Sequence, residues 1–356
     1  MSTSPRARGF VQNDVFSSVP LLGNPVAVVL DGRGLSTETM ALFARWTNLS
    51  ETTFILPPSE EVKAGGKADY RLRILTPFGE LPFAGHPTLG SCQAWLDHIS
   101  SSSQGQLFAS GQSDIITQEC GVGLVKIKRD GATGRLALAA PGFTKYQPGT
   151  EEEIRTVCQA MGIERGDVLK AQWICNGPRW FGLLLRSAQA VLNASLQSGG
   201  TDLLAEGGVP FIGLTGPYRP AAALLQSAGL LDEAAVATLT EEVEKDGTPS
   251  ASLPSASPTE GAAQGEATPL ASWEVRAIFE GIEDPVTGSL NAGFARWLVQ
   301  DEGLAQRNYV ASQGKCMDRR GRVYVNADGD AASGSEKGEI WIGGDTSEVI
   351  RGEVRL

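Results

Sequence analysis

The sequence predicts an α+β protein made of two copies of one strand-and-helix unit facing each other across a cleft. Three observations predict it. Strand-like runs outnumber helical ones, several of those runs alternate in polarity, and a block of about eighteen residues recurs 203 positions further along the chain.

The strand signals come first along the chain. Val26 to Leu30 follows a Gly23-Asn24-Pro25 turn, and Thr53 to Leu56 stops at Pro57-Pro58. Tyr70, Leu72 and Ile74 alternate with Arg71 and Arg73, the period of two that marks a half-buried strand. Further runs lie at Leu124 to Ile127, Phe181 to Leu185, Tyr309 to Ser312, Arg322 to Val325 and Ile340 to Ile342. Two helices stand out. Met40, Phe43, Ala44 and Thr47 share a face behind the cap candidates Ser36 and Thr37. Glu151 to Met161 carries acidic residues in its first turn, where the helix dipole favours them.

The segment from about 245 to 271 is rich in Gly, Pro, Ser, Ala and Thr and nearly free of large apolar residues. Such a stretch buries too little to offset its ordering entropy, so it is expected to be a disordered insertion.

The repeat organises everything else. Arg73 to Gly90 aligns without a gap on Arg276 to Gly293, matching Arg73 with Arg276, Glu80 with Glu283, Pro82 with Pro285, Gly85 with Gly288 and Gly90 with Gly293. Each copy then enters an apolar helix, presenting Leu89, Cys92, Leu96 and Ile99 in the first and Leu290, Phe294, Trp297 and Leu298 in the second.

Composition narrows the function. A chain of 356 residues with 41% hydrophobic and 20% charged residues has room for two globular domains. Its net charge of -11 speaks against nucleic acid and anionic membrane surfaces as partners. Five cysteines (Cys92, Cys120, Cys158, Cys175 and Cys316) form no C-x-x-C pair, and only His86 and His98 could join them, so neither a metal site nor a disulfide framework is expected. The cysteines read as free thiols in a reducing compartment, and the polar N-terminus has no apolar signal segment behind it, so a cytoplasmic location is expected. No stretch reaches the roughly 20 apolar residues of a membrane span.

The repeated turn carries the chemistry. Gly85-His86-Pro87 and Gly288-Ser289 open their helices, where unsatisfied N–H groups and partial positive charge can hold a carboxylate. Two such ends aimed into one cleft would bind a small carboxylic acid and stabilise the charge that develops as a carbon loses its proton. A base is supplied by Glu51, in the Asn48-to-Thr52 junction between a helix and a strand, where partial burial would raise its pKa toward operating pH. Plainer readings fit each residue alone: Ser289 as an N-cap, Asp284 as a turn residue, His86 as a loop histidine, Glu51 as a solvated side chain.

Four ordered motifs then add a resemblance. Gly23 to Val29, Asn48 to Thr52, Thr76-Pro-Phe-Gly-Glu-Leu-Pro-Phe-Ala-Gly-His-Pro-Thr-Leu-Gly90 and Glu283-Asp-Pro-Val-Thr-Gly-Ser289 resemble the phenazine-biosynthesis isomerase family (PhzF-like), and Gly338 to Gly344 is similar to its closing strand. The resemblance implies the diaminopimelate epimerase-like fold: two pseudo-symmetric domains, each a curved sheet or barrel wrapped around a central helix. The first would span 1–132 with strand 346–356 returning to it, and the second 133–345 with the insertion inside it. It also implies a cofactor-independent isomerase similar to trans-2,3-dihydro-3-hydroxyanthranilate isomerase, acting on a small cyclic carboxylic acid and allowing a homodimer. Glu51, His86, Asp284 and Ser289 fall on its catalytic positions, and Asn24, Gly85, Gly288 and Thr287 on substrate contacts. Cysteine-based epimerase relatives carry thiols at the two helix starts. Here those places hold His86 and Ser289.

Two departures stand out. The family's Gln-Gly-x-x-x-Gly-Arg run reads Gln313 to Arg319 with Asp318 in place of glycine, and the insertion before Trp273 is atypical. An amino-acid racemase and a non-catalytic metabolite-binding protein are the competing readings. A dinucleotide enzyme fits least, because Gly121-Val122-Gly123 lacks the third glycine and the acidic residue that follow in such sites.

Overall fold

The computed structural model describes residues 5–66, 68–100, 114–242, 270–328 and 338–356. The chain divides into two compact units, Met1–Ala139 with Gly343–Leu356, and Ala140–Ile342. The sequence placed that division at 132/133. The strand at Leu136–Ala139 pairs with Gly123–Arg129 and so stays with the first unit.

In the first unit the order is β1 (Ala7–Val15), β2 (Asn24–Val29), α1 (Thr37–Thr47), β3 (Thr52–Leu56), α2 (Glu60–Ala64), β4 (Tyr70–Leu75), β5 (Glu80–Leu81), α3 (Gly85–Ile99), β6 (Ile115–Cys120), β7 (Gly123–Arg129) and β8 (Leu136–Ala139). Ser36 caps α1 by accepting the Thr39 N–H, as its sequence position suggests. Met40, Phe43 and Ala44 bury that helix against Val29, Phe54 and Leu75. The second unit contains β9 (Lys145–Pro148), α4 (Glu151–Met161), β10 (Val168–Cys175), β11 (Phe181–Leu185), α5 (Ala188–Asn193), α6 (Gly200–Glu206), β12 (Phe211–Pro217), α7 (Ala222–Ser227), α8 (Glu233–Thr238), β13 (Trp273–Phe279), β14 (Ile282–Asp284), α9 (Gly288–Ala295), β15 (Asn308–Gln313) and β16 (Gly321–Ala327). Strand β17 (Ile340–Gly344) leads back to β18 (Thr346–Arg355) in the first unit.

Strand pairing repeats between the units. In the first, β1–β2 is antiparallel, β2–β3 parallel, β3–β4 antiparallel, β4–β6 parallel and β6–β7 antiparallel. In the second, β10–β11, β11–β12, β12–β13, β13–β15 and β15–β16 run through the same five senses in the same order. An antiparallel strand flanks each start, β18 on β1 and β9 on β10. The parallel steps need crossovers, and helices supply them in both units. The eighteen-residue repeat also holds in register. Ile74 faces Leu81 and Leu75 faces Glu80, while 203 positions on Ala277 faces Asp284 and Ile278 faces Glu283.

The central helix of the first unit is α3, which packs on β1, β2, β3, β4, β8 and β18. Every residue from Gly85 to Cys92 is buried, so this stretch is a core helix rather than an amphipathic one. Leu89 and Cys92 are buried as expected. Leu96 and Ile99 are only partly covered, and Ala94 and Trp95 carry the burial at that end instead. Gly90 permits the packing: a Cβ there would lie 2.4 Å from Val26 and 2.9 Å from Val15. In the second unit α9 packs on β10 and β16, and Leu290, Phe294, Trp297 and Leu298 are all buried. The sequence suggested one continuous helix there. The α-helix instead ends at Ala295 and Arg296–Asp301 continues as a π-helix that keeps Trp297 and Leu298 inside.

Two departures noted in the sequence resolve differently. Asp318 sits in the left-handed region at φ 56°, the conformation glycine adopts most easily and aspartate tolerates better than most residues. The expected insertion at 245–271 lies outside the described residues except at its end. There Ala271 is fully buried and its N–H donates to the Glu242 carboxylate at 2.9 Å, so this last residue of the expected insertion is packed in place. Among the described residues no helix is long and apolar enough to cross a membrane.

Candidate active site

Helix α1 closes on Asn48, which takes a left-handed conformation and donates its N–H to the Ala44 carbonyl. The chain turns there and enters β3, and Glu51 is the last residue before the strand. Its carbonyl already accepts the Ala27 N–H at 3.4 Å, which ties it to β2. Thr53, two residues on, bonds Ser91 Oγ at 2.8 Å and the Ala27 carbonyl at 3.1 Å. These bonds fix β3 against both α3 and β2. His86 is the second residue of α3 and Asn24 the first of β2, so three elements meet at one place.

There, His86 Nε2 lies 3.2 Å from Glu51 Oε2, with the two side chains 6% and 14% exposed. Asn24 is buried, and its Nδ2 lies 3.3 Å from His86 Nδ1. Burial pushes the Glu51 carboxyl up. The His86 charge, the His86 hydrogen bond and Ser50 pull it further down, so its pKa lies below the ordinary value. The sequence expectation of a raised pKa is thus corrected: burial acts as foreseen, and a partner absent from the local sequence outweighs it.

The second unit builds its turn in another way. Asp284 ends β14, and its Oδ2 accepts a short 2.5 Å hydrogen bond from Thr287 Oγ1. Thr287, not Ser289, occupies the N-cap of α9, and it makes no capping bond because its hydroxyl is engaged with Asp284. Gln313, fully buried at the end of β15, bonds this turn four times. Its Oε1 accepts from the Thr287 N–H at 3.0 Å and from Asn291 Nδ2 at 2.9 Å. Its Nε2 donates to the Asp284 carbonyl at 3.2 Å and to Thr287 Oγ1 at 3.0 Å. Ser289 is partly exposed. Its hydroxyl oxygen accepts from Trp180 Nε1 at 3.1 Å, and its carbonyl accepts from Asn176 Nδ2 at 2.8 Å.

Of the residues expected from sequence, the structure joins Glu51, His86 and Asn24 in one contact set, with Gly85 beside His86 at the helix start. Asp284, Thr287, Gly288 and Ser289 lie together around the start of α9. Thr287, expected to touch substrate, has its hydroxyl hydrogen-bonded to Asp284 and Gln313. Neither α3 nor α9 has a side-chain cap, which leaves the donors of both first turns without that partner. Gln313, Asn291, Asn176 and Trp180 were missed. Only Gln313 carried a signal, as the first residue of the Gln313-to-Arg319 run.

A family model described as "Phenazine biosynthesis-like protein" matches residues 13–209, a stretch holding Asn24, Glu51, Gly85 and His86. Antisense-enhancing sequence 1 of Schizosaccharomyces pombe is 40% identical over 190 residues, 52% of this chain and 60% of that protein. Trans-2,3-dihydro-3-hydroxyanthranilate isomerase of Pseudomonas aeruginosa is 52% identical over 85 residues, 24% of this chain and 28% of that protein. Both matches span less than two thirds of the relative's length. A crystal structure of a PhzF-family phenazine biosynthesis protein from Bacillus anthracis superposes with a TM-score of 0.64 at 20% identity, covering 99% of this chain and all of that one. A probable proline racemase from Agrobacterium radiobacter K84 superposes at 0.50 and 13%, covering 98% and 93%. At these identities the likeness concerns the fold.

Proposed function

The chain belongs to the phenazine biosynthesis-like protein family, and from that premise we propose that it is a cofactor-independent isomerase moving a proton on a small cyclic carboxylic acid, with Glu51 as the acid/base. The observation that carries the proposal is the Glu51–His86 contact at 3.2 Å, with Asn24 on the far side of the ring. Asn24 steadies the ring, and the His86 charge beside Glu51 keeps its carboxyl ionised as a base. In the forward step a substrate C–H breaks, its proton forms an O–H bond on Glu51, and the electron pair delocalises into the substrate's conjugated acid. In the return step Glu51 gives that proton to a different carbon, and the carboxylate is regenerated. Nothing is oxidised or reduced.

The substrate carboxylate suits the first-turn N–H groups at Gly85 or Gly288, where the absence of a Cβ lets an anion approach the backbone. Asp284 and Ser289 are proposed to serve the same reaction, Asp284 as a fixed carboxylate and Ser289 as a hydroxyl donor. The substrate class is close to that of the relatives named trans-2,3-dihydro-3-hydroxyanthranilate isomerase. A two-thiol racemase is the weaker reading. Cys92, the cysteine of α3, is fully buried and its thiol is pushed up to about 12, chiefly by burial, so it supplies no base near neutral pH. The test is a screen of cyclic and open-chain carboxylic acids for solvent-deuterium incorporation by the wild type. Incorporation undiminished in Glu51→Gln would remove Glu51 from the mechanism.

A further inference from the structure

We infer that Gln313 is a positioning residue that holds Asp284 as an oriented carboxylate by dictating which way the Thr287 hydroxyl points. The inference rests on the proposed part of Asp284 in the reaction and adds a residue to it.

The argument is one of forced direction. A backbone N–H can only donate and a backbone carbonyl can only accept. Gln313 faces one of each, the Thr287 N–H at 3.0 Å and the Asp284 carbonyl at 3.2 Å. Its amide therefore has one allowed orientation, with Oε1 toward Thr287 N and Nε2 toward Asp284 O. Asn291 Nδ2 reinforces it, being itself fixed by donating to the Thr287 carbonyl at 2.9 Å. The Nε2 so placed also reaches Thr287 Oγ1 at 3.0 Å, and there it must donate. A hydroxyl that receives at that position turns its own hydrogen elsewhere, and Asp284 Oδ2 lies 2.5 Å away. The acceptor at the end of this relay is favoured as a carboxylate.

Packing holds the relay in place. A Cβ on Gly314, whose φ is 96°, would lie 2.7 Å from the Pro285 carbonyl, so the end of β15 sits directly on the turn it supports. Gln313 is fully buried, Asn291 is 1% exposed and Thr287 is 7% exposed, which removes water as a competing partner. Glu283 on β14 is forked to Arg276 on β13, Lys315 beyond Gly314 is paired with Glu242, and the stem of Arg319 packs on Gly314.

The experiment uses the full chain with ¹³C-labelled aspartate, the Asp284 carboxyl signal being identified by its loss in Asp284→Asn. Thr287→Val should raise the titration midpoint of that signal by about one pH unit, and Thr287→Ser should restore it. Gln313→Glu replaces the donor with an acceptor that draws the Thr287 hydrogen to itself, so it should also raise the midpoint. Adding Thr287→Val to Gln313→Glu should then change nothing further, since both remove the same hydrogen bond. Additive shifts, or an unmoved midpoint in Thr287→Val, would overturn the inference. Should Gln313→Glu fail to fold, Gln313→Met, which removes the donor to the Thr287 hydroxyl without adding charge, takes its place and should also raise the midpoint, an unmoved midpoint there overturning the part given to Gln313. Deuterium incorporation separates the two proposals. A wild type that labels no acid while the titrations behave as expected refutes the isomerase reading and leaves the relay standing. Normal labelling with unmoved titrations refutes the relay alone.

Discussion

Arg276 grips Glu283 with two parallel hydrogen bonds, Nε to Oε1 at 3.0 Å and Nη2 to Oε2 at 2.8 Å, and 203 residues earlier Arg73 grips Glu80 through the same pair of atoms. Each fork ties a strand to the short hairpin that leads into its unit's central helix. The two differ in burial. Arg276 and Glu283 are 7% and 16% exposed, against 17% and 40% for Arg73 and Glu80. Arg276 also donates to the carbonyls of Val191 and Ala194 at the end of α5. Arg276→Met should therefore cost about 3 kcal/mol, because it strands a partly buried carboxylate and two carbonyls. Arg73→Met should cost about 1 kcal/mol or less. Urea unfolding of the purified variants measures both, and equal losses would contradict the dependence on burial.

Glu51→Gln keeps the shape and much of the hydrogen bonding of the side chain and removes its capacity to carry a proton. Turnover by deuterium incorporation should fall by ~10²-fold or more. Binding of a carboxylate ligand, read by calorimetry, should stay within about threefold. A parallel loss of binding and turnover would recast Glu51 as a binding residue.

The pH profile should report the His86 contact. In the wild type the carboxyl lies below the ordinary glutamate value, burial raising it and His86 with Ser50 lowering it by more. The base form therefore persists to lower pH than an ordinary glutamate would allow. His86→Gln removes the imidazole charge and leaves burial less opposed, so the acidic limb of the exchange profile should move to higher pH. An unmoved limb would mean that His86 does not set the ionisation of Glu51.

A second buried carboxylate should govern stability. Glu274 is fully buried and its pKa is pushed up to about 7, first by burial. Lys315, the Tyr218 hydroxyl and Ser312 pull it down, and Glu242 pushes it up. A carboxyl whose folded pKa exceeds its unfolded one contributes stability that is full below the unfolded value, ordinarily 4.5, and is lost as pH rises to about 7. Glu274→Gln retains an acceptor for the Tyr218 hydroxyl, now 2.6 Å away, without the charge. Thermal melting should show the wild type losing ground to Glu274→Gln between pH 5 and pH 8. Parallel melting curves across that range would count against a titrating Glu274.

The sequence by itself determined whatever is local or repeated. Alternation over Tyr70 to Leu75 marked β4, the acidic first turn at Glu151 marked α4, and the 203-residue offset marked two units of one design. These patterns are legible because a strand's period of two and a helix's 3.6 are written residue by residue. The motifs also named Glu51, His86, Asn24 and Asp284. Tertiary structure alone decided what those residues do to one another. His86 lies 35 positions beyond Glu51 and Asn24 lies 62 before His86, and only the packing of α3 against β2 and β3 brings them within 3.3 Å. That packing reversed the expected direction of the Glu51 pKa, because burial and a neighbouring imidazole act oppositely and the outcome depends on their separation. It likewise engaged the Thr287 hydroxyl with Asp284 and gave Gln313 its place beneath Asp284, since a hydrogen bond across 26 residues is set by where two strands end and not by the residues between them.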